Sequence, residues 1–443
     1  MKKLFAFVLM MLLNIYAIAQ TTEVQGILKP AISKVVYLFQ LEDGEAKVVK
    51  STTLAADGSF GISFNPSSEG FYMIGGFTAA AGQFPVYLKK GDRAQVSIDN
   101  RQMEFIGKQT EENTVLHEWI KLTKELKSQV VIAGPKRNLD PIAEFASVKE
   151  KTKNFQKGVN TKNTKFNLLM AQFVDYDMDL YALSLIKKNV GIIPESLAEY
   201  SKTLLQKDKF KSDDVFLYPN GKALIILYAD YAASLNKMEE GFNFLSTNRQ
   251  KGVYLFDRMS YKIKDYAQFE EMIKAYGKHF SYPTLKAKVD ALGAKLYNAT
   301  PGRKAANFSF PDRNGKMVSL SDFKGKVVLV DVWATFCGPC LELVPALNKL
   351  EAELHDRKDV IFIGVAQDGP RAKDTWLKLI KERQMGGIQL FAGGGNNVLA
   401  NDYKIKVMPR YLIFDRQGNV VTAEAPLPNN PELKKLLLAT LAK

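Results

Sequence analysis

The chain's 443 residues exceed what one ordinary hydrophobic core accommodates, and at roughly 150 residues per domain they point to about three domains. Apolar residues at 46% and charged residues at 24% exclude wholesale disorder. The net charge of +14 comes from lysines scattered through the middle of the chain, which argues for a solvated surface and against a nucleic-acid partner.

Lys2 and Lys3 open the chain, residues 4–13 form an unbroken apolar run, and Ala17-Ile18-Ala19 sets small residues at −3 and −1 before Gln20. This is the pattern of a secretory signal peptide, residues 1–19, cut after Ala19. The run is short for a membrane-spanning helix, Asn14 interrupts it, and no cysteine follows it to carry a lipid. No later stretch is apolar over the ~20 residues a span requires. The mature protein is therefore expected in the periplasm of a Gram-negative envelope, with no integral membrane segment after cleavage.

Residues 22–107 read as a small all-β domain. Val35-Val36-Tyr37-Leu38-Phe39, Phe71-Tyr72-Met73-Ile74 and Phe84-Pro85-Val86-Tyr87-Leu88 are short β-branched and aromatic runs, punctuated by Asp57-Gly58, Gly75-Gly76 and Lys90-Gly91-Asp92. A sandwich or barrel is expected. Residues 111–297 then turn mainly helical. Leu116, Trp119, Ile120 and Leu126 recur at helical spacing, as do Phe166, Leu169, Phe173 and Leu180, and residues 223–235 and 269–276 continue the pattern. The aromatic side chains here read as core.

Asn298-Ala299-Thr300-Pro301-Gly302-Arg303 reads as a linker. Beyond it, over 301–443, strands and helices alternate as in an α/β layer with a mixed sheet. Residues 327–332 have the near-continuous apolar character of a buried central strand. Residues 337–354 follow as a helix, 360–366 as a strand, 373–382 as a helix, 410–415 and 419–423 as a hairpin, and 431–441 as a closing helix. Gly386-Gly387 and Gly393-Gly394-Gly395 mark loops; the latter lacks the Lys-Ser/Thr that a phosphate cradle needs.

The whole chain holds two cysteines, and they form Cys337-Gly338-Pro339-Cys340. The motif follows the buried strand and opens the helix, where unpaired backbone N–H groups and the positive end of the helix dipole favour thiolate over thiol. Such placement lowers a thiol pKa to roughly 3.5–7.5, so Cys337 is expected to attack disulfides at neutral pH and Cys340, one turn in, to resolve the mixed disulfide. Pro339 suits a first helical turn. Zinc is disfavoured: there is no second cysteine pair, and His117, His279 and His355 lie far apart in different predicted elements. An inert disulfide closing so small a loop would gain little. No metal and no cofactor beyond a redox-active Cys337–Cys340 disulfide is expected. With no further cysteine, recharging requires an external thiol electron donor.

Several segments together resemble the thioredoxin superfamily, and within it the exported ResA/TlpA-like thiol–disulfide oxidoreductases. They are Phe308-Ser309-Phe310-Pro311-Asp312, Asn314-Gly315-Lys316, residues 318–326, Val328-Leu329-Val330-Asp331-Val332-Trp333-Ala334-Thr335-Phe336 with the Cys motif, Pro345, and Met408-Pro409. The β-rich segment upstream looks like a domain fused to other exported modules of this kind. The resemblance implies a thioredoxin-like C-terminal domain that reduces disulfide-containing protein substrates. It implies that Asp331 is buried beneath the pair and moves a proton to or from Cys340, as burial lifts a carboxyl toward neutrality. It puts Trp333, Gly338, Pro339, Met408 and Pro409 at the substrate-binding surface, with Pro409 as a cis-proline.

Three positions depart from the family pattern. The lysine that thioredoxins place beside the acid is absent from residues 360–365, Phe336 stands where relatives have Trp, and the acid expected three residues after the second cysteine is Leu343. Glu342 lies about 100° round the helix from that position and is expected to face solvent. Two other readings stay open. A peroxiredoxin-type thiol peroxidase is one, although the Pro-x-x-x-Thr-x-x-Cys frame is missing; an envelope binding protein with an accessory redox module is the other.

Overall fold

The computed structural model describes residues 21–443 apart from 30–33, 43, 78–81, 100–101, 131–139, 189–194, 206–208 and 236–239. The signal-peptide segment lies outside the described residues. Two compact units emerge, one taking in the described residues up to Leu255 with Lys278–Leu285, the other Phe256–Gly277 with Lys286–Lys443.

The first unit begins with eight strands: β1 (Thr22–Lys29), β2 (Val35–Glu42), β3 (Glu45–Thr53), β4 (Ser59–Phe64), β5 (Gly70–Gly75), β6 (Gln83–Leu88), β7 (Arg93–Asp99) and β8 (Gln102–Phe105). They form two four-stranded sheets, β4-β1-β7-β8 and β3-β2-β5-β6, neither closed into a barrel. The helices α1 (Glu111–Val130), α2 (Pro141–Gly158), α3 (Thr164–Lys188), α4 (Glu195–Leu204), α5 (Gly221–Leu235) and α6 (Asn248–Met259) follow. Leu116, Trp119, Phe166 and Phe173 are buried core residues, as their spacing predicts.

As far as Leu255 in α6, these strands and helices belong to the same compact unit, whereas the sequence reads as two domains. Asn113 on α1 shows why. Its amide accepts from Tyr87 N and donates to Tyr87 O, both at 2.9 Å, and so satisfies a strand's backbone groups from a helix. Within the helical part, Trp119 Nε1 donates to the fully buried carboxyl of Asp177 at 3.0 Å, which keeps that acid from standing unpartnered in the core.

The second unit starts inside α6 and adds α7 (Tyr266–Tyr276) and most of α8 (Pro283–Asn298) to the C-terminal α/β fold. Its strands are β9 (Ser309–Pro311), β10 (Met317–Ser319), β11 (Val327–Trp333), β12 (Val360–Ala366), β13 (Ile388–Phe391), β14 (Arg410–Phe414) and β15 (Val420–Thr422). Its helices are α9 (Gly338–Glu353), α10 (Lys373–Glu382), α11 (Val398–Asp402) and α12 (Pro431–Leu441).

The order β13-β12-β11-β14-β15 makes β11 central, with β12 parallel to it and β14 antiparallel. All seven β11 residues are buried. Val328, Val330 and Val332 face one core with Phe308, Phe310, Tyr403 and Leu412. Val327 and Leu329 face the other, under α9 and α12. A strand covered on both faces must be apolar on both, which is why its sequence does not alternate.

The segment read as a linker is instead tied to the sheet edge. Gly302 N donates to Val420 O at 2.7 Å and Val420 N to Arg303 O at 2.8 Å, while Ala299, Ala305 and Ala306 pack on the core. The hairpin β9–β10, β13 and the short α11 were not separable from loop in the sequence, because runs of 3–5 residues carry too little periodicity.

Candidate active site

Strand β11 ends at Trp333, the chain turns through Ala334-Thr335-Phe336, and α9 opens at Gly338 with Cys337 as its N-cap. Cys337 and Cys340 are joined in a disulfide. Cys340 N donates to Cys337 Sγ at 3.3 Å, so the cap position turns an otherwise unpaired helix N–H onto the first sulfur. When the disulfide opens, the same N–H and the helix dipole favour negative charge on that sulfur. Cys337 keeps 9% of its surface and Cys340 3%, while Gly338, Pro339 and Phe336 beside them are exposed.

The pair sits on an apolar floor. Trp333, Val344, Ala366, Trp376, Ile380, Met385 and Phe391 form one buried cluster with the two cysteines, and Met408 packs against it. Trp376 and Phe391 come from α10 and β13, 36 or more residues beyond Cys340 in sequence, and sequence reasoning did not find them. Met408–Pro409 is a cis peptide at the entry to β14. Through Met408 the structure brings that loop to the cysteine cluster.

A second feature escaped the sequence. Thr335 N donates to both carboxylate oxygens of Asp368, at 3.1 and 3.0 Å, and Thr335 Oγ1 donates to the same carboxylate. Asp368 is 1% exposed and follows β12 by two residues. This clamp fixes the turn that presents Cys337. The only signal in the sequence was an acid just past a buried strand.

Asp331 lies on β11 with its ladder partners Tyr411 on β14 and Gly364 on β12. It is buried, and burial pushes its carboxyl up to about 7; the Tyr411 hydroxyl opposite eases the charge only in part. Burial and the neighbouring Asp331 carboxyl also hold the Tyr411 hydroxyl well above its ordinary range. Asp331 shares a small cavity with Val344, one helical turn beyond Cys340 on α9. The missing lysine has a structural account. Its place beside the acid is Gly364, and a Cβ there would collide with the Gln389 amide folded over it from β13.

Glu342 is exposed on α9, whereas Leu343 is buried under the sheet. The histidines lie in separate places: His117 meets Glu104 at 2.7 Å, His279 meets Asn248 at 2.8 Å, and His355 is exposed beside Asp356. Among the described residues no group of three His, Cys, Asp or Glu is placed to hold a metal.

Residues 300–437 match the family model described as Redoxin. The thioredoxin-like protein YneN of Bacillus subtilis is 42% identical over 62 residues, 14% of this chain and 36% of that protein. The thiol-disulfide oxidoreductase ResA of Bacillus thuringiensis is 28% identical over 120 residues, 27% of this chain and 66% of that protein. The chain thus spans between a third and two thirds of these curated relatives. The crystal structure of the thioredoxin domain of a thiol-disulfide oxidoreductase from Bacteroides vulgatus is 29% identical, covering 32% of this chain and 96% of that one, with a TM-score of 0.29. The β11–Cys-x-x-Cys–α9 arrangement lies inside the span that matches Redoxin, so the C-terminal part of this chain carries a redoxin-like domain of the thioredoxin superfamily and is similar there to the ResA thiol-disulfide oxidoreductases.

Proposed function

We propose that the protein is an exported thiol–disulfide oxidoreductase that reduces disulfides in other envelope proteins. The observation that carries this is a disulfide at a helix N-cap on the same strand–helix unit as a buried acid poised near neutrality. In the reduced state the Cys337 thiolate attacks a substrate disulfide, forms a mixed disulfide and expels one substrate thiolate. Asp331 takes the Cys340 proton, and the Cys340 thiolate then attacks Cys337 Sγ. The substrate leaves with two electrons gained, and the protein is left with its Cys337–Cys340 disulfide. An external dithiol donor returns the electrons, because the chain holds no third cysteine.

Gly338 and Pro339 between the thiols, with Met408 and Pro409 beside them, provide the surface on which an extended substrate segment lies, whereas Trp333, expected on that surface from the sequence, is 1% exposed and supports the pair from below. The disulfide is the redox group, and no separate cofactor is required. The basic start, apolar run and Ala17-Ile18-Ala19 support a periplasmic location. Among the described residues, no helix is long and apolar enough to cross a membrane.

The test is insulin-disulfide reduction by the chemically reduced chain. Activity is expected in the wild type and lost in Cys337→Ser; turnover that persists in that variant defeats the proposal. Peroxide consumption retained by Cys340→Ser would instead assign a thiol peroxidase. Incubating Cys340→Ala with envelope extract is expected to accumulate a mixed disulfide on Cys337, which identifies the substrate.

A further inference from the structure

Asp331 borders a narrow cavity that Val344, Asn348, Glu351, Gly364 and Gln389 also line. It has about 10 Å³ of room for a water's centre, close to what one buried water needs. Two of its lining side chains carry a buried oxygen with no protein partner, Asp331 Oδ1 and Gln389 Oε1. A single water satisfies such a pair, because it can donate to both.

The arrangement follows from the ladder. Asp331, Gly364 and Gln389 occupy one cross-strand row over β11, β12 and β13. The glycine in the middle leaves the space, and the amide closes it. Glu351 and Gln389 are both held by the same turn: Gly387 N donates to Glu351 Oε1 at 2.8 Å and Gln389 Nε2 to Gly386 O at 2.7 Å. Glu351 is half-buried on α9 and is the one titratable lining residue besides Asp331. The polar groups on this side of Asp331 are therefore Tyr411 from β14, Gln389 from β13, and Asn348 and Glu351 from α9, while β12 contributes only the apolar Phe362 and Ile363 and the bare Gly364. No Lys, Arg or His lines the cavity.

We infer that this cavity is the proton port of Asp331: a water held between Asp331 Oδ1 and Gln389 Oε1 passes protons between the buried acid and Glu351, and Glu351 exchanges them with solvent. The inference rests on the cycle above, in which each turnover loads one proton from Cys340 onto Asp331. The protonated acid gives that proton to the water, the water gives one of its own to the Glu351 carboxylate, and Glu351 releases it. No electron moves. Burial raises both carboxyls, which brings each closer to the range in which it can take and release a proton near neutral pH. Gln389 and Glu351 are positioning and relay residues; neither touches the sulfur chemistry in this scheme.

Two variants test it. Gln389→Met keeps the volume and removes the acceptor, so the water is lost and the Asp331 carboxylate loses hydration. The Asp331 titration, followed by carboxyl 13C NMR, is expected to move up by about one pH unit, and the acid limb of the rate of reaction with a small aromatic disulfide to move with it. Glu351→Gln keeps an acceptor for Gly387 N and removes the relay. That variant is expected to leave the Asp331 titration in place and lower the rate of the Cys340 resolving step by about tenfold. An Asp331 titration unchanged in Gln389→Met, or a wild-type resolving rate in Glu351→Gln, overturns the inference. A wild type that reduces no disulfide defeats the proposed function instead, and the NMR titration, which needs no turnover, still decides whether the cavity hydrates Asp331.

Discussion

Asp331 stands directly opposite Gly364 in the β11–β12 ladder, so the buried acid has no side chain beside it on that strand. The charge of Asp331 is thus left to burial, to Tyr411 and to the cavity that Gln389 closes. Four expectations follow from this arrangement and its surroundings.

Asp331 makes stability depend on pH with a definite sign. Its folded-state pKa is raised from 3.8 to about 7, so between these values the folded protein holds a proton that the unfolded chain has released. Stability therefore falls as pH rises through this window and stays low above it. The full loss approaches about 4 kcal/mol, at 1.36 kcal/mol per pKa unit. Asp331→Asn is expected to unfold at higher guanidinium than wild type at pH 8.5, with the difference shrinking toward pH 5. Fluorescence of Trp333 and Trp376 in a Trp119→Phe background reads the C-terminal unit. A difference independent of pH contradicts the assignment.

Gly364→Ala places a Cβ where the Gln389 amide lies. That amide is the far end of a flexible side chain beside a cavity, so it can swing aside at the cost of its hydrogen bond to Gly386 O, about 1 kcal/mol. The same unfolding measurement is expected to show that loss, and Gly364→Ala is expected to cost less in a Gln389→Ala background, where that hydrogen bond is already gone.

Asp368→Ala strips the acceptor from Thr335 N and Thr335 Oγ1. Leaving buried donors unpaired costs about 1–3 kcal/mol. Because the turn they hold presents Cys337, the rate of alkylation of reduced Cys337 by iodoacetamide is expected to change alongside stability. Unchanged alkylation would confine the clamp to a role in folding.

Glu342→Gln is expected to leave insulin reduction within about twofold of wild type, since Glu342 is exposed and Leu343 holds the inward position. A tenfold drop would place Glu342 itself in the reaction.

Much of the C-terminal site was legible in the chain order. Asp331, Trp333, Cys337 and Cys340 lie within ten residues on one strand–turn–helix unit, and local periodicity suffices to orient such a unit. The doubly covered strand β11 and the helix after it came from spacing alone, and the departure at Leu343 from the resemblance to the family pattern. The β and helical segments ahead of it read as separate domains, because nothing local records that Asn113 clasps Tyr87 across 26 residues.

Sequence by itself therefore determined the disulfide pair, the acid on its strand, and the alternation that makes the C-terminal part an α/β layer. Tertiary structure alone decided what surrounds them. Trp376, Asp368 and Gln389 reach the site from α10, from the loop after β12 and from β13, Glu351 meets them from three turns further along α9, and the space at Gly364 exists only once β12 and β13 lie side by side. The physical reason is that a pKa and a cavity belong to everything packed around a residue. Spacing along the chain carries only the residue's own strand or helix.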